Sequence, residues 1–139
     1  MGELDGLFKG LADQTRLRII NLLLHGELCV CDIQFVLGSP QPNVSRHLAY
    51  LKHSGIVRDR REGQRIFYRL AEPREQAQKQ LFAFLRQAFG ASPEFIRDSR
   101  KLKKAIAQGS CTTSQSSAHA PARSPILRRS RGTLVGQLK

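Results

Sequence analysis

The chain has 139 residues, with 23 Lys and Arg against 11 Asp and Glu, a formal net charge of +12, and three cysteines. That length holds one core of about 100–150 residues plus extra segments; the odd cysteine count excludes a fully paired disulfide scaffold, and no run of about eighteen apolar residues offers a membrane span. The charge favours a polyanionic partner without separating nucleic acid from an acidic membrane surface.

In chain order, LDGLFKGLADQTRLRIINLLLHG carries two helical patterns divided near Ala12 and Asp13, with Asp13 as N-cap of the second. Asp5 and Lys9 interrupt the first turns, so no secretory leader is read and a soluble cytoplasmic protein is expected. Leu17, Ile20, Leu23 and Leu24 share one helix face, and Gly26 is a stop. CVCDIQFVLG predicts a short helix ending at Gly38, and SPQPNVSRHLAYLKHSG a second ending at Gly55. Two short helices joined by a tight Gly-containing turn read as helix-turn-helix. IVRDRREGQRIFYRL then holds two β-rich runs, Ile56 to Arg61 and Arg65 to Leu70, around Glu62-Gly63-Gln64, which predicts a hairpin.

From Glu72 to Phe89 a further helix is predicted, with Pro73 in its first turn and Leu81, Phe82, Leu85, Ala88 and Phe89 as an apolar stripe. With the N-terminal helix this stripe is a candidate homodimer surface, and covering the domain's own core accounts for the pattern equally well. Residues 93–107 predict one more basic helix. Residues 108–139 hold five basic and no acidic residues in a Ser/Pro/Arg-rich setting, and are expected to be a disordered basic tail. The fold expected is mainly α with a small β-hairpin, a winged helix-turn-helix. Residues 1–90 form the DNA-binding and dimerisation domain, 91–107 an extra helix and 108–139 the tail.

The exposed start of the second helix of a helix-turn-helix reaches base edges, while other groups hold phosphates. Val44, Leu48 and Leu51 should face the core, leaving Gln41, Asn43, Ser45, Arg46 and His47 toward DNA. Gln and Asn pair with adenine, and Arg with guanine or phosphate; a solvated helix face is the plain alternative for each. In the wing, Arg58, Arg60, Arg61, Arg65 and Arg69 fall within one hairpin. By the two-residue period Arg58, Arg60 and Arg65 share the wet face, where phosphate contact is expected.

Cys29 and Cys31 stand one residue apart where the first reading helix begins. In mid-helix they would lie about 200° apart and could not share a ligand. Cys29-Val30-Cys31-Asp32 has the spacing of a capping box, with Cys29 as an extended N-cap, so the two sulfurs can approach one soft ion. The helix N-terminus is expected to lower their pKa, and soft thiolates disfavour magnesium or calcium. A small apolar filler is the plain alternative for a cysteine at this place. A ligand gripped there distorts the first helix of the reading pair and shifts the second relative to the wing.

LADQTRLRIINLL, GELCVCDI, QPNVSRHLAYLKHSGIV and REGQRIFYRL resemble the ArsR/SmtB family of metalloregulatory repressors over about residues 4 to 89, and ELCVCD resembles its arsenic-sensing members. The resemblance implies a homodimer that represses an efflux or detoxification operon and leaves double-stranded operator DNA when arsenite or antimonite binds. It implies Cys29 and Cys31 as inducer ligands, the helix from about Pro40 to Lys52 as DNA reader, and no constitutive cofactor. Members of this type often carry a third cysteine where this chain has Gln34, so Cys111 in the tail, or a small cellular thiol, is a candidate third sulfur. Ser39 is expected to cap and Pro40 to begin the reading helix. Other sensors of the family use Asp and His pairs on the last helix, and residues 72–89 contain neither.

The rival readings are a thiol-based redox-sensing regulator, a small thiol reductase and a basic DNA-coating protein. The reductase lacks a C-x-x-C motif.

Overall fold

The computed structural model describes residues 2–109. Six helices and three short strands run in the order α1 (Gly2–Leu11), α2 (Gln14–Leu23), β1 (Leu28–Cys29), α3 (Val30–Leu37), α4 (Gln41–His53), β2 (Val57–Glu62), β3 (Arg65–Leu70), α5 (Gln76–Gly90) and α6 (Pro93–Ala107). The mainly helical winged helix-turn-helix expected from the sequence is the observed fold. No helix among the described residues is long and apolar enough to cross a membrane.

The division between α1 and α2 falls at Asp13, whose extended backbone (φ −161°) and carboxylate, accepting from the Arg16 N–H at 3.1 Å, make it the N-cap of α2. The sequence stripe on α2 was too narrow. Ile19, Ile20, Leu22 and Leu23 are all buried because α2 is the central helix, touching α1, α3, α4, α5, α6 and β3. Residues Val44, Leu48 and Leu51 of α4 are fully buried against it, as their spacing predicts.

Helix α3 ends at Gly38, whose positive φ of 66° provides the left-handed turn that a side chain resists. The turn continues through Ser39 to Pro40. Pro40, not Ser39, occupies the N-cap position and Pro42 lies in the first turn, so α4 starts one residue later than expected. Its early N–H groups have no partners within the helix, so a proline there loses no intrahelical hydrogen bond.

Strands β2 and β3 pair from Val57↔Leu70 to Glu62↔Arg65, which places Glu62 in the ladder and leaves a two-residue turn at Gly63-Gln64, with Gly63 at φ 64°. The sequence offered no sign of β1. It adds a third strand in the order β1-β3-β2, through Leu28↔Tyr68 and Cys29↔Phe67.

Helix α5 begins at Gln76 rather than near Glu72. After β3, the Ala71 N–H still bonds to the Ile56 carbonyl at 2.8 Å, extending the sheet pairing. Pro73 then holds the preceding residue out of the helical region, so the chain runs extended until Glu75. Helix α6 is present as predicted for 93–107 and docks on α2 and α3 through fully buried Leu102. Arg18 reaches across from α2 to grip Asp98 with two hydrogen bonds, 2.8 and 3.0 Å. The buried Asn21 amide donates to the Phe95 carbonyl at 3.0 Å.

Candidate nucleic-acid interface and thiol pair

Because Val44, Leu48 and Leu51 commit one face of α4 to the core, Gln41, Asn43, Ser45 and Arg46 fall on its outer side, Gln41 and Arg46 exposed and the other two half-buried. They are held in pairs one turn apart. Gln41 donates to Ser45 Oγ at 2.5 Å, and Arg46 to Asn43 Oδ1 at 2.8 Å. Such bonds restrict rotamers, while the remaining guanidinium and amide N–H groups stay available.

His47 departs from this set. Its side chain is 17% exposed and its Nδ1 lies 3.4 Å from the Arg16 guanidinium and 3.7 Å from the Asp13 carboxylate, at the junction of α1 and α2. Sequence reasoning missed Arg16. Its Nε donates to the Gly10 carbonyl at 2.8 Å and its Nη2 at 3.1 Å to that of Lys9, which also accepts from the Ala12 N–H at 3.2 Å, so Arg16 caps the end of α1. The same guanidinium lies over the Tyr50 ring of α4, 4.1 Å from its centre. Arg16 thus ties the reading helix to α1.

In the wing, pairing places Arg58, Arg60 and Arg65 on one face with Arg69 and Phe67, as the two-residue period predicts, and Arg61 on the other. Arg58 stands directly opposite Arg69, both exposed and neither in an ion pair among the described residues. Like charges in that relation repel unless an anion lies between them. Arg60 is engaged differently. It gives Nε and Nη2 to the two carboxylate oxygens of Glu27, at 2.9 and 2.8 Å, and Nη1 to Glu62, with its Cζ 4.7 Å from the centre of the Phe67 ring.

The thiols occupy the joint where β1 becomes α3. Cys29 is the N-cap, extended at φ −70° and ψ 146°, and this brings the two sulfurs to 3.1 Å, beyond the ~2.05 Å of a bond between them. A metal–thiolate bond runs ~2.3 Å, so one soft atom spans sulfurs up to about 4 Å apart, and this pair lies within that reach. Cys29 is a buried free thiol, whereas Cys31, whose sulfur is held in a disulfide, is half-buried and borders a shallow depression lined by Gln34, Phe35, Gly38 and Ser39. Asp32, at the third helical position as expected, is buried.

The expected fall in thiol pKa is corrected for Cys29. Burial pushes this thiol up, outweighing the backbone N–H groups of Cys31 and Val30 that favour thiolate, and the Asp32 charge pushes the same way. Among the described residues no cluster of three or more His, Cys, Asp or Glu forms a metal site. Cys111 lies outside the described residues.

The apolar stripe of α5 divides. Leu85 and Phe89 are in the core, Leu81 and Phe82 are partly buried, and Ala88 is exposed. Phe84, which the stripe omitted, is 62% exposed, and Leu4 and Phe8 of α1 are exposed as well.

Residues 13–59 match the family model described as "Bacterial regulatory protein, arsR family". Over 66 residues the chain is 54% identical to the arsenical resistance operon repressor of Escherichia coli K12, a match covering 47% of this chain and 56% of that protein. It is 45% identical over 65 residues to a homolog of the cadmium resistance transcriptional regulatory protein from Staphylococcus aureus, covering 46% of this chain and 54% of the other. The chain spans about half the length of such curated relatives. Among solved structures, it is similar to the homodimeric winged helix-turn-helix DNA-binding domain of a possible ArsR-family transcriptional regulator from Mycobacterium bovis. That likeness has a TM-score of 0.54 at 35% identity, and covers 62% of this chain and 77% of the other.

Proposed function

Since the chain belongs to the ArsR family of bacterial transcriptional regulators, we propose that it is a homodimeric repressor that releases operator DNA when trivalent arsenic or antimony seats on Cys29 and Cys31. The fold and the similar proteins are those of DNA-binding regulators and give a thiol reductase no support. The observation that carries the arsenic reading is the 3.1 Å sulfur pair at the joint between β1 and α3.

The chemistry balances once a small cellular thiol has reduced the disulfide that holds Cys31 and returned it to a free thiol. Arsenous acid exchanges two of its hydroxyls for the two sulfurs, two As–S bonds form, and the thiol protons leave with those hydroxyls as two waters. The third position on arsenic keeps hydroxide, or takes Cys111 or a small cellular thiol. Closing the ligand over both sulfurs draws on the backbone between β1 and α3, so α3 tilts and α4 shifts relative to the wing. A coupling of ~1–3 kcal/mol then weakens DNA binding roughly 5–150-fold.

In this reading Gln41, Asn43, Ser45 and Arg46 face base edges, and Arg58, Arg65 and Arg69, which share one face of the hairpin, face phosphates. Leu4, Phe8 and Phe84 meet the partner subunit. DNA binding and dimerisation belong to residues 1–90, and the protein works in the cytoplasm.

Fluorescence anisotropy on the duplex upstream of the protein's own gene tests the reading, with wild type, Cys29→Ser, Cys31→Ser, the double variant and Cys111→Ser. Arsenite should release wild type and fail to release either single variant in the pair. Release that survives the double serine replacement sinks the reading, and release by peroxide but not arsenite replaces it with redox sensing. A full response by Cys111→Ser removes the tail thiol from the ligand set.

A further inference from the structure

Between the thiol pair and the wing lies an ion-pair arrangement that the proposed function leaves unused. Glu27 stands two residues before Cys29, and both its carboxylate oxygens are taken by Arg60 of β2. That guanidinium also reaches Glu62 and covers the ring of Phe67. Phe67 is buried and is the ladder partner of Arg60 on one side and of Cys29 on the other. One residue triplet therefore crosses the sheet from the thiol segment to the wing: Cys29, Phe67, Arg60. Glu27 closes it into a loop.

We infer that Glu27 and Arg60 are positioning residues that carry occupancy of the thiol pair to the wing, an inference that rests on the arsenic reading above. Strand β1 contributes two residues to the sheet, so the ladder alone is a weak hold on the segment leading to Cys29. A bidentate carboxylate–guanidinium fork fixes direction as well as distance. When the backbone from Leu28 to Cys31 rearranges around a bound ligand, Glu27 moves with it. The fork turns Arg60, and with it the β2–β3 hairpin whose other arginines face phosphate. Static stability is not the role of this pair, because its side chains are 28% and 45% exposed and solvent screens them.

The test uses the full chain, the duplex upstream of its own gene, and arsenite, with wild type, Glu27→Gln, Arg60→Lys and the double variant. Arg60→Lys keeps the charge but cannot form the fork. Arsenite binding is read separately, by equilibrium dialysis with arsenic quantification, and DNA affinity by anisotropy. Each single variant should bind arsenite as wild type does and hold free-state DNA affinity within about threefold, as expected for an exposed pair. The arsenite-induced loss of DNA affinity should shrink by about fivefold or more in each, with the double variant no worse than either single, since one link is broken once. Full release by both single variants overturns the inference while leaving the arsenic reading intact. Loss of arsenite binding in both single variants also overturns it, because the pair would then shape the thiol site rather than transmit from it. If wild type itself binds no arsenite, the arsenic reading fails and takes this inference with it.

Discussion

Cys29 illustrates how burial decides what a thiol can bind. Its pKa is raised by desolvation, so near neutral pH it keeps its proton. A divalent cation such as cadmium must displace that proton, and its affinity should climb with pH as long as the solution stays below the raised value, by up to about one log unit per pH unit for each proton released. Arsenous acid carries the protons away in water, so its affinity should change far less over the same range. Titrating both ligands from mildly acidic to mildly alkaline pH checks this, and equal slopes would mean that the Cys29 proton does not control selection. A second contrast lies between neighbouring arginines. Arg58→Ala should lower the slope of log affinity against log salt by about one, as loss of one phosphate contact does, whereas Arg60→Ala should leave the slope nearly unchanged. Val44, Leu48, Leu51 and the Asp13 cap were legible in the sequence because each depends on residues within two turns of itself. His47 and Arg60 were not, because their partners stand 31 and 33 residues away.

At the scale of elements, the same division between local and distant causes holds. Helices α3, α4 and α6 announce themselves by spacing and by Gly or Pro at their ends, while β1 has two residues and therefore no period to detect. The late start of α5 was a local signal misread: Pro73 suits a first helical turn, but it also keeps its predecessor extended, and the second effect prevailed. Helix α6 carries a net positive charge, yet its attachment depends on its few other residues. Leu102 is fully buried, and the Asp98 side chain is 8% exposed under the Arg18 fork, which holds the Arg18 pKa above its usual value. Leu102→Ala should cost ~2–5 kcal/mol through lost contacts and a residual cavity. Asp98→Ala should cost less, ~1.5–3 kcal/mol, since the Arg18 it abandons still touches water and lies near Glu94. Urea unfolding of both variants checks the order, and an Asp98→Ala loss exceeding that of Leu102→Ala would show that the ion pair, not the core contact, holds α6 in place.

For the whole molecule, the relation between core and surface on α5 makes the proposed dimerisation separable from folding. Leu85 and Phe89 point into the protomer, while Phe84 at 62% and Phe8 of α1 at 56% leave large rings in water. An exposed aromatic ring costs a lone protomer little, but two-fold pairing buries the same patch on both copies, so one charged substitution is felt twice. Phe84→Glu should therefore leave the unfolding free energy of a dilute sample, read by urea, within about 0.5 kcal/mol of wild type, as surface changes do. The same change should shift sedimentation from dimer to monomer. DNA affinity should then fall by about a hundredfold or more, because two reading helices joined in one dimer bind half-sites with an effective concentration that separate protomers lose. A Phe84→Glu protein that remains dimeric would place the two-fold contact elsewhere, and Phe8→Glu, tested beside it, distinguishes a contact through α1 from one through α5. Because Arg16 joins the end of α1 to Tyr50 on α4, a change in how α1 seats in the proposed dimer reaches the reading helix through one side chain. Arg16→Ala should accordingly weaken DNA binding in a protein that still dimerises, and unchanged anisotropy in that variant would show that pairing and reading are set independently.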